Sequence, residues 1–238
     1  MYFWRLLPNT LAINLIYLAI GFPLPIIFAL LLNEIRVKWF KRTVQTISYL
    51  PHFISVVIVA SMVMTFLSPS FGIVNNILEN FGFERIYFLT KPQYFWWIYN
   101  AMSIWQTTGF GAIIYLAALS GIDPQLYEAA IVDGANRWQQ TWHITLPGIS
   151  TTVIVMLLLR IGYLLSAGNV GHEAIILLYN PAIYETADVI NTYVYRRGLL
   201  NADYSYATAV GLFQSVFGFI LIFVANKVAN KISQQGLW

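Results

Sequence analysis

Leu11-Ala-Ile-Asn-Leu-Ile-Tyr-Leu-Ala-Ile-Gly-Phe-Pro-Leu-Pro-Ile-Ile-Phe-Ala-Leu-Leu-Leu32 carries no formal charge from end to end. About 20 mostly apolar residues let a helix cross a hydrocarbon core about 30 Å thick, so this stretch reads as a membrane-spanning helix. Four further runs at 44–67, 94–119, 148–166 and 206–225 read the same way. None of the five holds an Asp or Glu, and Arg160 is the one formal charge inside them. Aromatic residues crowd their ends, as in Tyr94-Phe95-Trp96-Trp97, where amphipathic rings favour the headgroup level.

Composition agrees with the runs. Of 238 residues, 58% are hydrophobic and 10% charged, against about a quarter charged in an ordinary soluble domain. A water-soluble globule and a disordered chain are both excluded. The absence of cysteine excludes disulfide scaffolds, thiolate metal sites and cysteine catalysis. A net charge of +3 is too small to suggest nucleic-acid binding. The expected fold is all-α, a polytopic transmembrane helical bundle forming a single domain over 1–238.

Charge placement orients the bundle. Arg36, Lys38, Lys41 and Arg42 cluster after the first run, and the positive-inside tendency puts that segment in the cytoplasm. The 120–147 loop and the C-terminus then lie inside too, and 167–205 outside. Five spans place Met1 outside without a signal peptide to carry it there, so one earlier N-terminal span is expected to be missing.

The inner loop reads Gly121-Ile-Asp-Pro-Gln-Leu-Tyr-Glu-Ala-Ala-Ile-Val-Asp-Gly-Ala-Asn-Arg-Trp-Gln-Gln-Thr-Trp-His-Ile-Thr-Leu-Pro147. Asp123 is a good N-cap, Pro124 is permitted at a helix start, and Gly134 supplies a permissive backbone for a turn. A short helix, a break and a second short helix are expected. Leu126, Ala129, Ala130 and Asp133 recur at helical spacing, leaving a small-residue stripe on which a partner could approach closely.

This loop resembles the EAA motif of permease subunits in bacterial ATP-binding-cassette importers. The family pattern of Glu-Ala-Ala, three residues, Gly, nine residues, Ile, one residue and Leu-Pro is met at Glu128, Ala129, Ala130, Gly134, Ile144, Leu146 and Pro147. Further stretches are similar to the carbohydrate-type permeases, in particular the polysaccharide and oligosaccharide branch of Gram-positive bacteria. They are Phe3-Trp4-Arg5, Gln45-Thr46-Ile47-Ser48-Tyr49-Leu50-Pro51-His52, Leu178-Tyr179-Asn180-Pro181, Asp188-Val189-Ile190 and Ala209-Val210-Gly211-Leu212-Phe213. Members of that branch carry a further helix before the Phe-Trp stretch, which agrees with the missing first span. His172 departs from the Phe expected before Glu173.

The resemblance implies a type I ABC importer permease core in a bacterial cell membrane. It implies ABC ATPase subunits, a second permease subunit, an extracellular solute-binding lipoprotein and a carbohydrate substrate as partners. The loop would couple the bundle to ATP hydrolysis through Glu128, Ala129, Ala130, Asp133, Gly134, Ile144, Leu146 and Pro147. The chain itself would be no enzyme and hold no cofactor, with ATP and Mg on the partner ATPase.

The residues agree, since no phosphate-binding Gly-x-x-x-x-Gly-Lys-Ser/Thr loop is present and His172-Glu173-Ala-Ile-Ile176 lacks the second His of a zinc helix. Without membrane-embedded carboxylates or two related halves, a secondary carrier is the weaker alternative. An intramembrane enzyme is weaker too, for want of a converging nucleophile and base.

Inside the membrane, Arg160 is the costliest residue, at about 2.5 to 3.5 kcal/mol on insertion scales when central. It reads either as a substrate-facing donor to sugar hydroxyls or uronate carboxylates or as a clamp onto carbonyls or Gln106. Gln106, Thr107, Thr108 and Gln214 are pathway candidates, as is Trp105 for stacking on a pyranose ring, though polar groups also join helices in lipid. The Gly162/Ser166 and Ala207/Gly211/Ser215 ladders suit close helix packing, within this chain or against a second subunit. Pro23 with Pro25, and Pro51 with His52, should kink or locally open their helices and free carbonyls, with His52 as a hydrogen-bonded core residue. The outer stretch should fold as short helices at the outer surface, with Glu173, Glu185, Asp188, Arg196 and Arg197 as docking candidates or ordinary solvated charges.

Overall fold

A computed structural model describes residues 3–166, 168–233 and 236, and among them there are helices and no strands. Ala167, the first residue of the expected outer stretch, lies outside the described residues. The first apolar column joins α1 (Phe3–Ile16), a π-helical turn (Tyr17–Gly21) and α2 (Pro23–Glu34). Pro23 has no N–H to continue an α-helical ladder, and the Phe22 N–H instead reaches five residues back to the Tyr17 carbonyl at 2.9 Å. Trp4–Glu34 is thus one span of 31 residues, longer at both ends than 11–32.

The second span opens at Pro51, where the sequence calls for a kink or a local opening with freed carbonyls, and the opening is a full break. Helix α3 (Lys38–Tyr49) continues into a 3-10 turn (Leu50–Phe53), and α4 (Val56–Phe66) leaves at 97° to it. Pro51 withdraws a donor from the ladder, and the Ser55 side chain caps the new helix by accepting from the Val57 N–H. The freed Ile54 carbonyl accepts a hydrogen bond from Gln106 Nε2 at 2.9 Å. In an apolar setting that bond removes a desolvation cost of about 1–3 kcal/mol.

After α5 (Ile73–Asn80), α6 (Pro92–Ser120) is the central element. Phe95, Tyr99 and Met102 near its start join Ile13 of α1 and Val59 and Ala60 of α4 in one buried cluster. Ala112, Tyr115 and Leu119 near its end join Ala29 of α2 in another. Next comes α7 (Pro124–Val132), on the inner loop. The following span does not begin near Gly148 as expected. Helix α8 (Arg137–Gln140), a π turn (Thr141–Thr145) and α9 (Leu146–Gly162) run on as one 26-residue helix, so the second short helix of the loop is the foot of the span. Ile149 of α9 closes the second cluster.

The outer segment does form short helices, α10 (His172–Leu178), α11 (Tyr184–Ala187) and α12 (Ile190–Val194). It is not a surface layer, however: Ala174, Ile175, Leu178, Ile183, Ala187 and Val189 are buried in the first cluster. Helix α13 (Tyr204–Ser233) closes the described fold against α9. A Cβ on Gly218 would stand 2.6 Å from the Gly162 carbonyl, so this pair of glycines lets the two backbones touch within the chain. Gly211 has nothing within 4 Å of its Cβ position, so in that ladder the close contact is made by Ala207, whose Cβ would stand 2.5 Å from a Cβ on Gly198.

Two ion pairs tie opposite ends of the first span to the rest. Arg5 bonds Asp188 of the outer segment at 2.8 Å, and Glu34 pairs with Arg137 at the foot of the fourth span. Asp188 was a docking candidate on sequence, yet it is fully buried. Its carboxylate also accepts from Arg196 at 2.7 and 2.8 Å and from Thr192 Oγ1 at 2.8 Å. Burial opposes the charge on Arg196, but hydrogen bonds to Asp188 and Tyr179 outweigh it and raise the guanidinium pKa above its ordinary value. Glu173, Glu185 and Arg197 are exposed.

Candidate functional site

The inner loop is built by local signals. Asp123 accepts from the Gln125 N–H at 2.9 Å and starts α7. The helix ends by passing the Ala135 N–H back to the Ala130 carbonyl at 2.8 Å and the Gly134 N–H to Ile131 at 3.0 Å, a Schellman-type stop. That stop needs a left-handed residue, and Gly134 supplies it at φ +79°. Two residues on, Asn136 and Gln139 form a reciprocal capping box that opens α8. The turn is therefore pinned at three consecutive points.

What α7 presents is unusual for a surface helix. None of its residues is buried, and Leu126, Ile131 and Val132 are 52%, 63% and 86% exposed. Glu128, Ala129, Asp133 and Gly134 are exposed as well, and Ala130 is half-buried. Among the described residues neither Glu128 nor Asp133 has an ion-pair partner. Ile144 and Leu146 are half-buried and Pro147 is exposed, all three on the foot of the fourth span. Exposed apolar side chains spread round a short helix, interleaved with free carboxylates, are the composition of an interaction surface.

A second feature lies within the spans. A cavity of about 430 Å³ opens between the first, third and fourth columns, lined by Tyr17, Pro25, His52, Thr107, Phe110, Tyr115, Arg160, Tyr163 and Asn169 among others. Arg160 stands on its wall in the last turn of α9, where the helix dipole favours a cation. Its two terminal nitrogens donate to Asn14 Oδ1 at 3.0 Å and Asn169 Oδ1 at 3.4 Å. The guanidinium carbon lies 4.5 Å from the Tyr17 ring centroid. Asn14 spends both amide protons on the Thr10 and Ser166 carbonyls, each at 2.9 Å, which turns its oxygen toward the arginine. The Tyr17 hydroxyl joins Asn169 at 2.9 Å and Thr107 at 3.0 Å, so one network links the first, third and fourth spans and the outer segment.

Of the sequence-named pathway candidates, Arg160 and Thr107 stand on the cavity wall, and Arg160 is held by asparagines rather than by backbone carbonyls or Gln106. Gln106 is buried and serves the Ile54 carbonyl. Trp105 is 47% exposed and is not among the cavity-lining residues. Gln214 donates to the Leu165 carbonyl and to Asn191 Oδ1 in a separate groove. His52 is exposed, not core, and makes its contact by stacking on Phe110 at 4.0 Å and 4°. Together those two rings give the cavity a flat aromatic wall. Asn14 and Tyr17 were passed over on sequence, although a lone Asn inside an apolar run is itself a signal in lipid.

A family model described as "Binding-protein-dependent transport system inner membrane component" matches residues 21–234. The chain is 46% identical over 236 residues to the polygalacturonan/rhamnogalacturonan transport system permease protein YteP of Bacillus subtilis (strain 168), covering 99% of this chain and 73% of that protein. It is 47% identical to Protein LplB of the same organism, with the same coverage. The solved bacterial alginate ABC transporter, in complex with its alginate pentasaccharide-bound periplasmic protein, contains a chain that superposes with a TM-score of 0.92 at 51% identity. That match covers 99% of this chain and 81% of the other.

Proposed function

The chain belongs to the family of binding-protein-dependent transport system inner membrane components, and from that premise we propose how it takes part in carbohydrate import. It is a multi-pass permease subunit of an ABC importer in the cell membrane. The relatives transport polygalacturonan or rhamnogalacturonan in one case and the acidic polysaccharide alginate in another. An oligosaccharide derived from an acidic polysaccharide is accordingly the cargo. A solute-binding protein delivers it outside, and a second permease completes the passage.

ATP is hydrolysed on separate subunits that seat against the inner loop. The observation carrying this reading is α7, with its exposed Leu126 and Val132 beside the free carboxylates of Glu128 and Asp133. Ala129 and Ala130 keep the surface low enough for close docking, and the left-handed Gly134 sets the angle between α7 and the foot of the fourth span. Ile144, Leu146 and Pro147 lie on that foot, next to the contact surface. When the ATPase dimer closes on nucleotide, its preference for the closed state is passed through this lever to the spans.

The absence of cysteine gives a clean background for a proximity test. Val132→Cys, labelled with a maleimide photo-crosslinker in the assembled complex, is expected to capture the ATPase subunit. Glu185→Cys, exposed on the outer segment, is expected to capture none. No ATPase adduct from position 132 in a complex that still hydrolyses ATP would remove the loop from the coupling interface.

A further inference from the structure

Among the described residues Arg160 has no carboxylate partner. Both of its bonded acceptors are neutral amide oxygens, and its buried Nε has no partner at all. A guanidinium in a water-poor site stabilises poorly against neutral oxygens alone, and an anion with two oxygens matches its fork. Arg160 is also the only formally charged residue lining the cavity, whose volume of about 430 Å³ falls within the range of small-molecule sites. The positive charge is therefore unbalanced on the wall of an accessible space, beside the parallel rings of His52 and Phe110.

We propose that Arg160 forms a carboxylate subsite in the passage, receiving the acid group of a uronate residue. The inference rests on the reading of the chain as a carbohydrate permease and adds where that passage discriminates. Asn14 and Asn169 position the guanidinium, since their oxygens fix its plane while Tyr17 supports one face. The apolar and aromatic remainder of the wall takes the pyranose faces. Selection by charge thus continues inside the membrane after the external binding protein has released its load.

The test uses the complete complex in liposomes, with trigalacturonate and its fully methyl-esterified form as cargoes. Uptake of each is normalised to ATP hydrolysed, and the acid-to-ester ratio is compared between variants, so the binding protein's own preference cancels. Losing one partner of a desolvated charge pair costs at least about 2 kcal/mol, so Arg160→Gln should lower the ratio at least about thirtyfold. Asn169→Asp keeps the arginine and supplies it with an internal carboxylate, and the same fall is expected from that variant. A ratio unchanged in both variants, whatever the total uptake, overturns the subsite and leaves Arg160 as a helix clamp. Should Arg160→Gln fail to assemble, Asn169→Asp decides alone. A wild-type complex that imports neither cargo would instead overturn the reading of an acidic oligosaccharide as the cargo, on which the subsite rests.

Discussion

Gly134→Val is expected to reduce ATP-driven uptake to background while the complex still assembles. Gly134 holds φ +79°, where an L residue costs about 1–2 kcal/mol and a β-branched side chain more. A Cβ there would meet nothing within 4 Å, so the penalty comes from the backbone alone. Valine can escape it only by rotating the turn, which breaks the bonds from Ala135 to Ala130 and from Gly134 to Ile131. The angle between α7 and the fourth span would change, and hydrolysis on the partner would no longer move the spans. Gly134→Asn tolerates the left-handed region better and should keep most uptake. Uptake and hydrolysis measured together separate the outcomes, and normal uptake by the valine variant would remove Gly134 from the coupling path.

A second large effect is expected at the outer face. Asp188 is fully buried, and Arg5 and Arg196 converge on it from side chains that keep 36% and 25% of their exposure. Asp188→Ala leaves two cations facing a void and strips Thr192 of an acceptor. Because the arginines can partly turn to water, the cost is placed at the low end for a broken buried pair, about 3 kcal/mol. That corresponds to a rise of about a hundredfold in the population with the outer segment open. Limited proteolysis between α10 and α12 in membrane vesicles reads this directly. A cleavage rate equal to wild type would show that the three-way pair contributes no stability.

These two sites mark what local sequence does and does not encode. The inner loop was legible because its signals are read within a few residues, Asp123 before Pro124 and Gly134 after the helix, while the equally local capping box of Asn136 and Gln139 was not read. The spans were legible as apolar lengths for the same reason. The 97° break was visible only as Pro51, since its angle depends on Gln106 reaching Ile54 from 52 positions away. Asp188 looked like a solvated acid because Arg5, which helps bury it, lies 183 residues earlier. The outer helices mix buried Ala174, Ile175 and Leu178 with polar neighbours in turns too short to show a period. Arg160 announced itself by charge, but its asparagine partners come from the first span and the outer segment, and no spacing rule links them.

The most direct measurement is accumulation of a labelled acidic oligosaccharide in liposomes holding this chain with its second permease and ATPase subunits. Accumulation is expected only when ATP is inside and the sugar-loaded binding protein outside, and it should vanish when the ATPase subunits are left out. Uptake driven by a pH gradient without any ATPase would contradict the account.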